Sequence, residues 1–175
     1  MNLQDYPLFV PPETLAKKGR ENWSADEANR YREWLIGVLP NRVKELTNRL
    51  DEPAGSSPPE HLLRLGTKIA QILGKAPFSE EGPAGRRLTN QGYAISADLG
   101  LLVADYLLKE HDGKLRWEIM KKRKEHSYNL PVLQGFSGNY LDPVGGSAAE
   151  AAAVLRGKRG PDTWKRIYEF WDAKI

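Results

Sequence analysis

The stretch QGYAISADLGLLVADYLLKE, residues 91–110, decides the fold. Its apolar residues recur at spacings of three and four, which is typical of an amphipathic helix. The apolar face consists of Ile95, Leu99, Leu102, Val103 and Tyr106. Asp112-Gly113 follows as a turn signal, and residues 115–120 (LRWEIM) then alternate as a half-buried strand does. We therefore expect the rest of the chain to be built around a helix that leads into a β-hairpin.

Other segments with helical periodicity flank this unit. Ser24 and Glu27 form a capping box in front of a helix that Pro40 is expected to end or kink, with a second helical segment after it. A further helix is predicted at residues 60–73. Near the end of the chain, a capping box at residues 147–150 and an apolar stripe of helical spacing after Asp162 predict two more helices. These segments bring the expected number of helices to about six.

Strand and turn signals complete the predicted fold. Residues 130–136 (LPVLQGF) predict a second strand that pairs with the first, while residues 51–59 and 75–89 are predicted to be loops. The sequence thus predicts a mainly helical α+β domain of about six helices on a small antiparallel β-hairpin or three-stranded sheet. We assign residues 1–22 to an N-terminal arm and residues 23–175 to a single globular domain.

Composition excludes several classes of function. The chain has no cysteine, which removes disulfides, thiolate metal sites and cysteine nucleophiles. No run approaches 18 apolar residues and the N-terminus does not resemble a secretory signal, so we expect a cytoplasmic protein without a membrane span. The net charge of +3 is a mild excess, and nucleic-acid binders usually concentrate more charge on one face.

Catalytic and cofactor motifs are not recognisable in the sequence. The three histidines, His61, His111 and His126, lack the spacing of an HExxH zinc site, and no GxSxG elbow is present. The PVGGS segment at residues 143–147 matches neither a Walker loop nor a dinucleotide fingerprint. We therefore predict no catalytic residue, no metal and no cofactor, and an enzyme is the less favoured interpretation.

The predicted hairpin connection carries the strongest candidate contact surface. It contains the densest basic run of the chain, although Glu118 and Glu125 flank this run and dilute its field. Tyrosines in polar loops nearby supply contact area at low entropic cost. The candidate partner-binding residues are Lys121, Lys122, Arg123, Lys124, Tyr128 and Tyr140.

A different set of residues supports an alternative, ligand-binding interpretation. Asp98 and Asp105 share one helix face, although they lie roughly 10 Å apart along the axis. Gly145, Gly146 and Ser147 form a glycine loop before a predicted helix, where backbone amides bind anions. This hypothesis predicts a deep pocket between the central helix and residues 138–147.

Three hypotheses of function follow. We favour a protein-binding module, of an immunity-like or accessory type, that acts through the loops around residues 115–136. The alternative is a small-molecule-binding protein or enzyme that uses Asp98, Asp105 and the glycine loop. A weaker alternative is nucleic-acid contact through residues 121–124, since so short a run supplies few phosphate contacts. No feature of the sequence indicates an oligomeric state.

Overall fold

Helix α4, Asn90–Glu110, runs through the centre of the fold, and the other helices pack around it. The computed structural model describes residues 3–53 and 57–175. The helices that precede α4 are α1 (Glu13–Ala16), a 3₁₀ turn (Arg20–Asn22), α2 (Ala25–Arg49) and α3 (Pro58–Leu73). Those that follow are α5 (Pro143–Leu155) and α6 (Thr163–Asp172).

Two small antiparallel sheets accompany the helices. In the first, β1 (Ser79–Glu80) pairs with β2 (Arg87–Leu88). In the second, β3 (Arg116–Ile119) pairs with β4 (Pro131–Gln134). Six α-helices and two hairpin sheets within the described residues confirm the predicted mainly helical α+β domain.

The predicted boundaries need three corrections. Helix α2 continues through Pro40. Proline has no amide hydrogen, so the carbonyl of Ile36 lacks its helical hydrogen bond. Both residues are exposed and lie on the same solvent-facing side of the helix. The predicted loop at 75–89 contains the β1–β2 hairpin. In the predicted loop at 51–59, α3 already begins at Pro58, and residues 54–56 lie outside the described residues.

Helix α4 is buried on all sides rather than on one face. Residues 94–104 are buried without interruption, which covers three full turns. The helix packs against α2, α3, α5 and α6. None of the helices among the described residues combines the length and the apolar character that a membrane crossing requires.

The burial of α4 places a carboxylate in the core. Asp98 is fully buried, and Arg42 of α2 binds it through two hydrogen bonds of 2.7 and 2.8 Å. The hydroxyl of Tyr6 donates a third, of 2.5 Å. Burial raises the pKa of Asp98 to about 6, although Arg42 and Tyr6 act in the opposite direction.

The same arginine fixes the N-terminal arm to the helical body. The guanidinium of Arg42 donates to the carbonyls of Pro7 and Leu8, at 3.1 and 3.0 Å. The side chains of Leu3, Tyr6 and Leu15 are buried in the folded protein. The arm therefore contributes three buried side chains to the protein interior, and the contact that holds it joins positions more than thirty residues apart.

A glycine permits the close contact between α4 and α5. A Cβ on Gly100 would lie 1.8 Å from the carbonyl oxygen of Pro143 and 2.6 Å from the Cβ of Ser147. Ser147 also donates a 2.5 Å hydrogen bond to the carbonyl of Ser96, and Trp164 of α6 donates to Ser147 at 2.8 Å. Helices α4, α5 and α6 thus meet at one buried point.

We predict that Gly100→Ala lowers the free energy of unfolding by about 3 kcal/mol, because the new methyl group overlaps the backbone of α5. The matched control is Gly37→Ala in α2, where no atom lies within 4 Å of the new Cβ. This control gains about 1 kcal/mol from helix propensity. Urea denaturation followed by circular dichroism measures both changes, and equal stability of the two variants would contradict the prediction.

We predict that Arg42→Met lowers the free energy of unfolding by about 4 kcal/mol, because it leaves Asp98 buried without a cation. The control is Arg30→Met, whose side chain is 59% exposed and lies 4.0 Å from Glu27. The control changes stability by less than about 0.5 kcal/mol. The measurement is chemical denaturation at pH 8, and a loss at Arg42 no larger than that at Arg30 would refute it.

Candidate functional site

The β3–β4 hairpin positions the two loops of the candidate contact surface. Arg116 pairs with Gln134 at one end of the hairpin and Ile119 with Pro131 at the other, so residues 120–130 form the connection. Beyond β4, an antiparallel bridge joins Leu133 to Leu141 through hydrogen bonds of 2.8 and 3.0 Å. This bridge brings the segment 137–142 alongside the sheet, next to the connection.

A groove of about 1320 Å³ opens where these loops meet α5 and α6. We call it the hairpin groove. Its lining comes from the arm, α4, the hairpin, the segment 138–142 and one side of α5 and α6. Phe136 and Trp171 lie on its wall with ring centroids 4.7 Å apart. The groove thus lies between the central helix and residues 138–147, where the ligand-binding hypothesis predicts a pocket.

Asp142 ties the hairpin connection to the start of α5. Its carboxylate accepts a 2.8 Å hydrogen bond from the backbone amide of Gly145 and a 2.7 Å bond from Ser127. Asp142 is therefore the N-cap of α5, and Pro143 is its first residue. The prediction that the capping box at residues 147–150 opens this helix is wrong, because Asp142 already satisfies the free amides one turn earlier.

The N-terminal arm closes one end of the groove. Arg20 lines the groove and donates to the carbonyl of His126. In return, the side-chain amide of Asn129 donates to the carbonyls of Arg20 and Trp23, at 2.9 and 3.2 Å. The conformation of the hairpin connection therefore depends on the arm as well as on the sheet.

The basic run forms an exposed rim of the groove. Its members, all exposed, are Lys121, Lys122, Arg123 and Lys124, and the first two line the groove itself. Within residues 3–53 and 57–175, none of the four forms an ion pair or a side-chain hydrogen bond. We call these four residues the cationic rim.

The carboxylates that line the groove are engaged by other groups of the protein. Glu118 pairs with Arg116, and Glu150 lies 3.1 Å from Arg159. Glu125 accepts a 2.9 Å hydrogen bond from Tyr140. The fourth is the N-cap Asp142. Glu118 and Glu125 flank the basic run in the sequence and were expected to dilute its field; in the structure an arginine outside the run compensates Glu118, whereas Glu125 accepts from a neutral hydroxyl and keeps its effect.

The two candidate tyrosines occupy different positions. Tyr140 is half-buried and lines the groove, and partial burial together with its bond to Glu125 raises its pKa. Tyr128 is also half-buried; its backbone amide donates to the carbonyl of Glu125, and it lies outside the groove lining. Of the two, Tyr140 is thus placed to meet a molecule in the groove.

The residues of the ligand-binding hypothesis do not come together. Asp98 is in the core with Arg42, and Asp105 forms an exposed pair with Lys109 at 2.7 Å. Gly145, Gly146 and Ser147 line the groove, but they belong to the first turns of α5. The helix face that carries the two aspartates therefore lies apart from the glycine loop.

Sequence reasoning missed two groove residues for different reasons. Asp142 precedes a proline, which is a signal for a helix start that could have been recognised. Arg20 joins the groove through contacts with residues more than a hundred positions away, and no local pattern indicates such contacts.

One group of potential metal ligands lies away from the groove's cationic rim. The ligand atoms of Glu110, His111 and Asp172 lie within 4.8 Å of one another at the C-terminal ends of α4 and α6. His111 and Asp172 form a 2.6 Å bond, and Tyr168 donates to Glu110. Hydrogen bonding within the protein accounts for this arrangement.

Comparisons with known proteins place the chain in no family. No protein-family model matches it, and neither a curated protein nor a solved structure shows significant similarity to it.

Proposed function

We propose that the protein is a protein-binding module, of an accessory or immunity-like type, and that its contact surface is the hairpin groove with the loops 121–129 and 137–146. The observation that supports this proposal is the composition of the groove. It combines a cationic rim that forms no ion pair within the described part of the chain, a half-buried tyrosine and a wall of aromatic rings. Interfaces between proteins are enriched in such aromatic residues.

The rigidity of the groove's surroundings supports the same proposal. Asp142, Asn129 and the Leu133–Leu141 bridge fix the two loops through hydrogen bonds to the helices, the arm and the sheet. A preformed surface loses little conformational entropy on association. Loops held in this way can therefore act as a recognition surface without first having to be ordered.

The ligand-binding alternative draws on a single favourable observation. The groove lies where that hypothesis predicts a pocket, and its glycine loop lines it. Against it, Asp98 and Asp105 lie outside the lining, and the buried Asp98 is already bound by Arg42 and Tyr6. The protein-binding module explains more of the residues that line the groove. The cytoplasmic location of the protein stays a prediction.

Site-specific crosslinking tests the protein-binding proposal. The chain has no cysteine, so a single introduced thiol carries a photocrosslinker at one known position. Ala149→Cys places it on the exposed side of α5 that lines the groove. We expect one protein from the source cells to crosslink here and then, once purified, to bind the unlabelled chain saturably in calorimetry.

The matched control is Ala84→Cys, at an exposed position between β1 and β2 that lies outside the groove lining. The partner is expected not to crosslink at this position. Crosslinking of the same proteins at both positions would count against the proposal. So would a candidate that shows no saturable binding once purified.

A further inference from the structure

We propose that the occupant of the hairpin groove is an extended acidic segment of the partner protein, whose carboxylates lie against the cationic rim. This inference rests on the proposed protein-binding function and specifies the chemistry of the partner. Its basis is a difference in how the protein uses its own charges at this surface. The groove contains charges of both signs, and its cations without an acidic partner among the described residues outnumber the carboxylates without a cationic one.

The carboxylates of the groove all interact within the protein, and arginines pair with two of the four. Each of the four carboxylates in the lining, at positions 118, 125, 142 and 150, has an ion pair or hydrogen bond with this protein. The rim cations have no such partner within the described residues. Arg20, which also faces the groove, donates to a carbonyl, so its charge is not neutralised by a carboxylate. Glu118 and Glu150 are paired with Arg116 and Arg159, whereas Glu125 and Asp142 accept hydrogen bonds from uncharged groups and are not neutralised by a cation in the described part of the chain. The four rim cations and Arg20 outnumber these two carboxylates, so the net charge that a bound molecule meets at the groove is positive.

The absence of ion pairs in the rim also lowers the cost of binding. A carboxylate that approaches Lys121 or Lys122 does not have to displace any acidic residue in the ranges 3–53 and 57–175. The ammonium groups are exposed, so each contact is individually weak and sensitive to salt. Several such contacts along one segment accelerate association and set its orientation.

A polypeptide fits the groove better than a nucleic acid does. A nucleic-acid strand carries a charge at every phosphate, and a strand that entered the groove would bring phosphates close to Glu125 and Asp142, whose carboxylates no cation pairs with in the described residues. A polypeptide can place carboxylates at the rim and neutral or apolar side chains deeper, against Tyr140 and Trp171. The mixed lining favours a ligand whose charge varies along its length.

Fluorescence anisotropy with three labelled probes tests the inference. They are a twelve-residue peptide of alternating Glu and Leu pairs, the same peptide with Lys in place of Glu, and a twelve-nucleotide single-stranded DNA. We expect the acidic peptide to bind most tightly, and its affinity to fall several-fold between 50 and 200 mM salt. Tighter binding of the DNA or of the lysine peptide would overturn the inference.

Two charge-reversal variants locate the site. In Lys121→Glu/Lys122→Glu, the affinity for the acidic peptide is expected to fall roughly tenfold. The control Lys44→Glu/Lys75→Glu changes the net charge equally at two exposed lysines outside the groove and is expected to cost less than about twofold. Equal losses would overturn the inference. Circular dichroism establishes that both variants are folded.

The two proposals fail in distinguishable ways. If a purified partner crosslinks at Ala149 but the acidic peptide does not bind, the inference about the partner's chemistry is wrong and the protein-binding function stands. If the acidic peptide binds and the rim variant loses it, the inference is supported. If neither crosslinking nor peptide binding occurs, both proposals are refuted.

Discussion

The burial of α4 on every side is the constraint on which the rest of the structure depends. A helix with only one apolar face needs one partner layer, but a helix enclosed over three turns needs neighbours all round it. Its one buried charge must also be matched, since an isolated carboxylate in a core is very costly. Arg42 meets that requirement and, through its remaining donors, holds the arm. The arm is thus held in place by the same arginine that binds the buried carboxylate of α4.

The enclosure of α4 also determines where the groove lies. Because Gly100 has no side chain, α5 approaches α4 closely and its first turn is fixed against the core. Asp142 caps that turn and, from the same carboxylate, binds Ser127 in the hairpin connection. The position of an exposed loop therefore follows from a contact between two buried helices, by way of one capping residue. This is how a rigid core can present a defined external surface.

The periodicity of apolar residues made the architecture predictable, whereas the contacts between distant segments could not be predicted. The spacing of apolar residues indicated the central helix and the hairpin. The loops predicted around these elements contained the candidate tyrosines and lysines. The helix start at Pro143 was misplaced because a Ser and a Glu further on formed an equally plausible capping box, although Asp142 already caps the helix. The pairing of Arg42 with Asp98 and the entry of Arg20 into the groove depend on chain separations of 56 and 106 residues. No pattern of local spacing contains that information.

The electrostatic character of the groove shows why a sequence count of charges is a poor guide to a surface. Along the chain, Glu118 and Glu125 flank the basic run and reduce its net charge. In the folded protein Glu118 is paired with Arg116, a residue outside the run, and Glu125 receives a hydrogen bond from Tyr140. Pairing with Arg116 thus compensates the charge of Glu118, while no cation of the rim forms an ion pair within the described residues, so the surface is more attractive to anions than the flanking acids imply. A protein that binds here therefore encounters the charge that remains after ion pairs have formed within the folded chain.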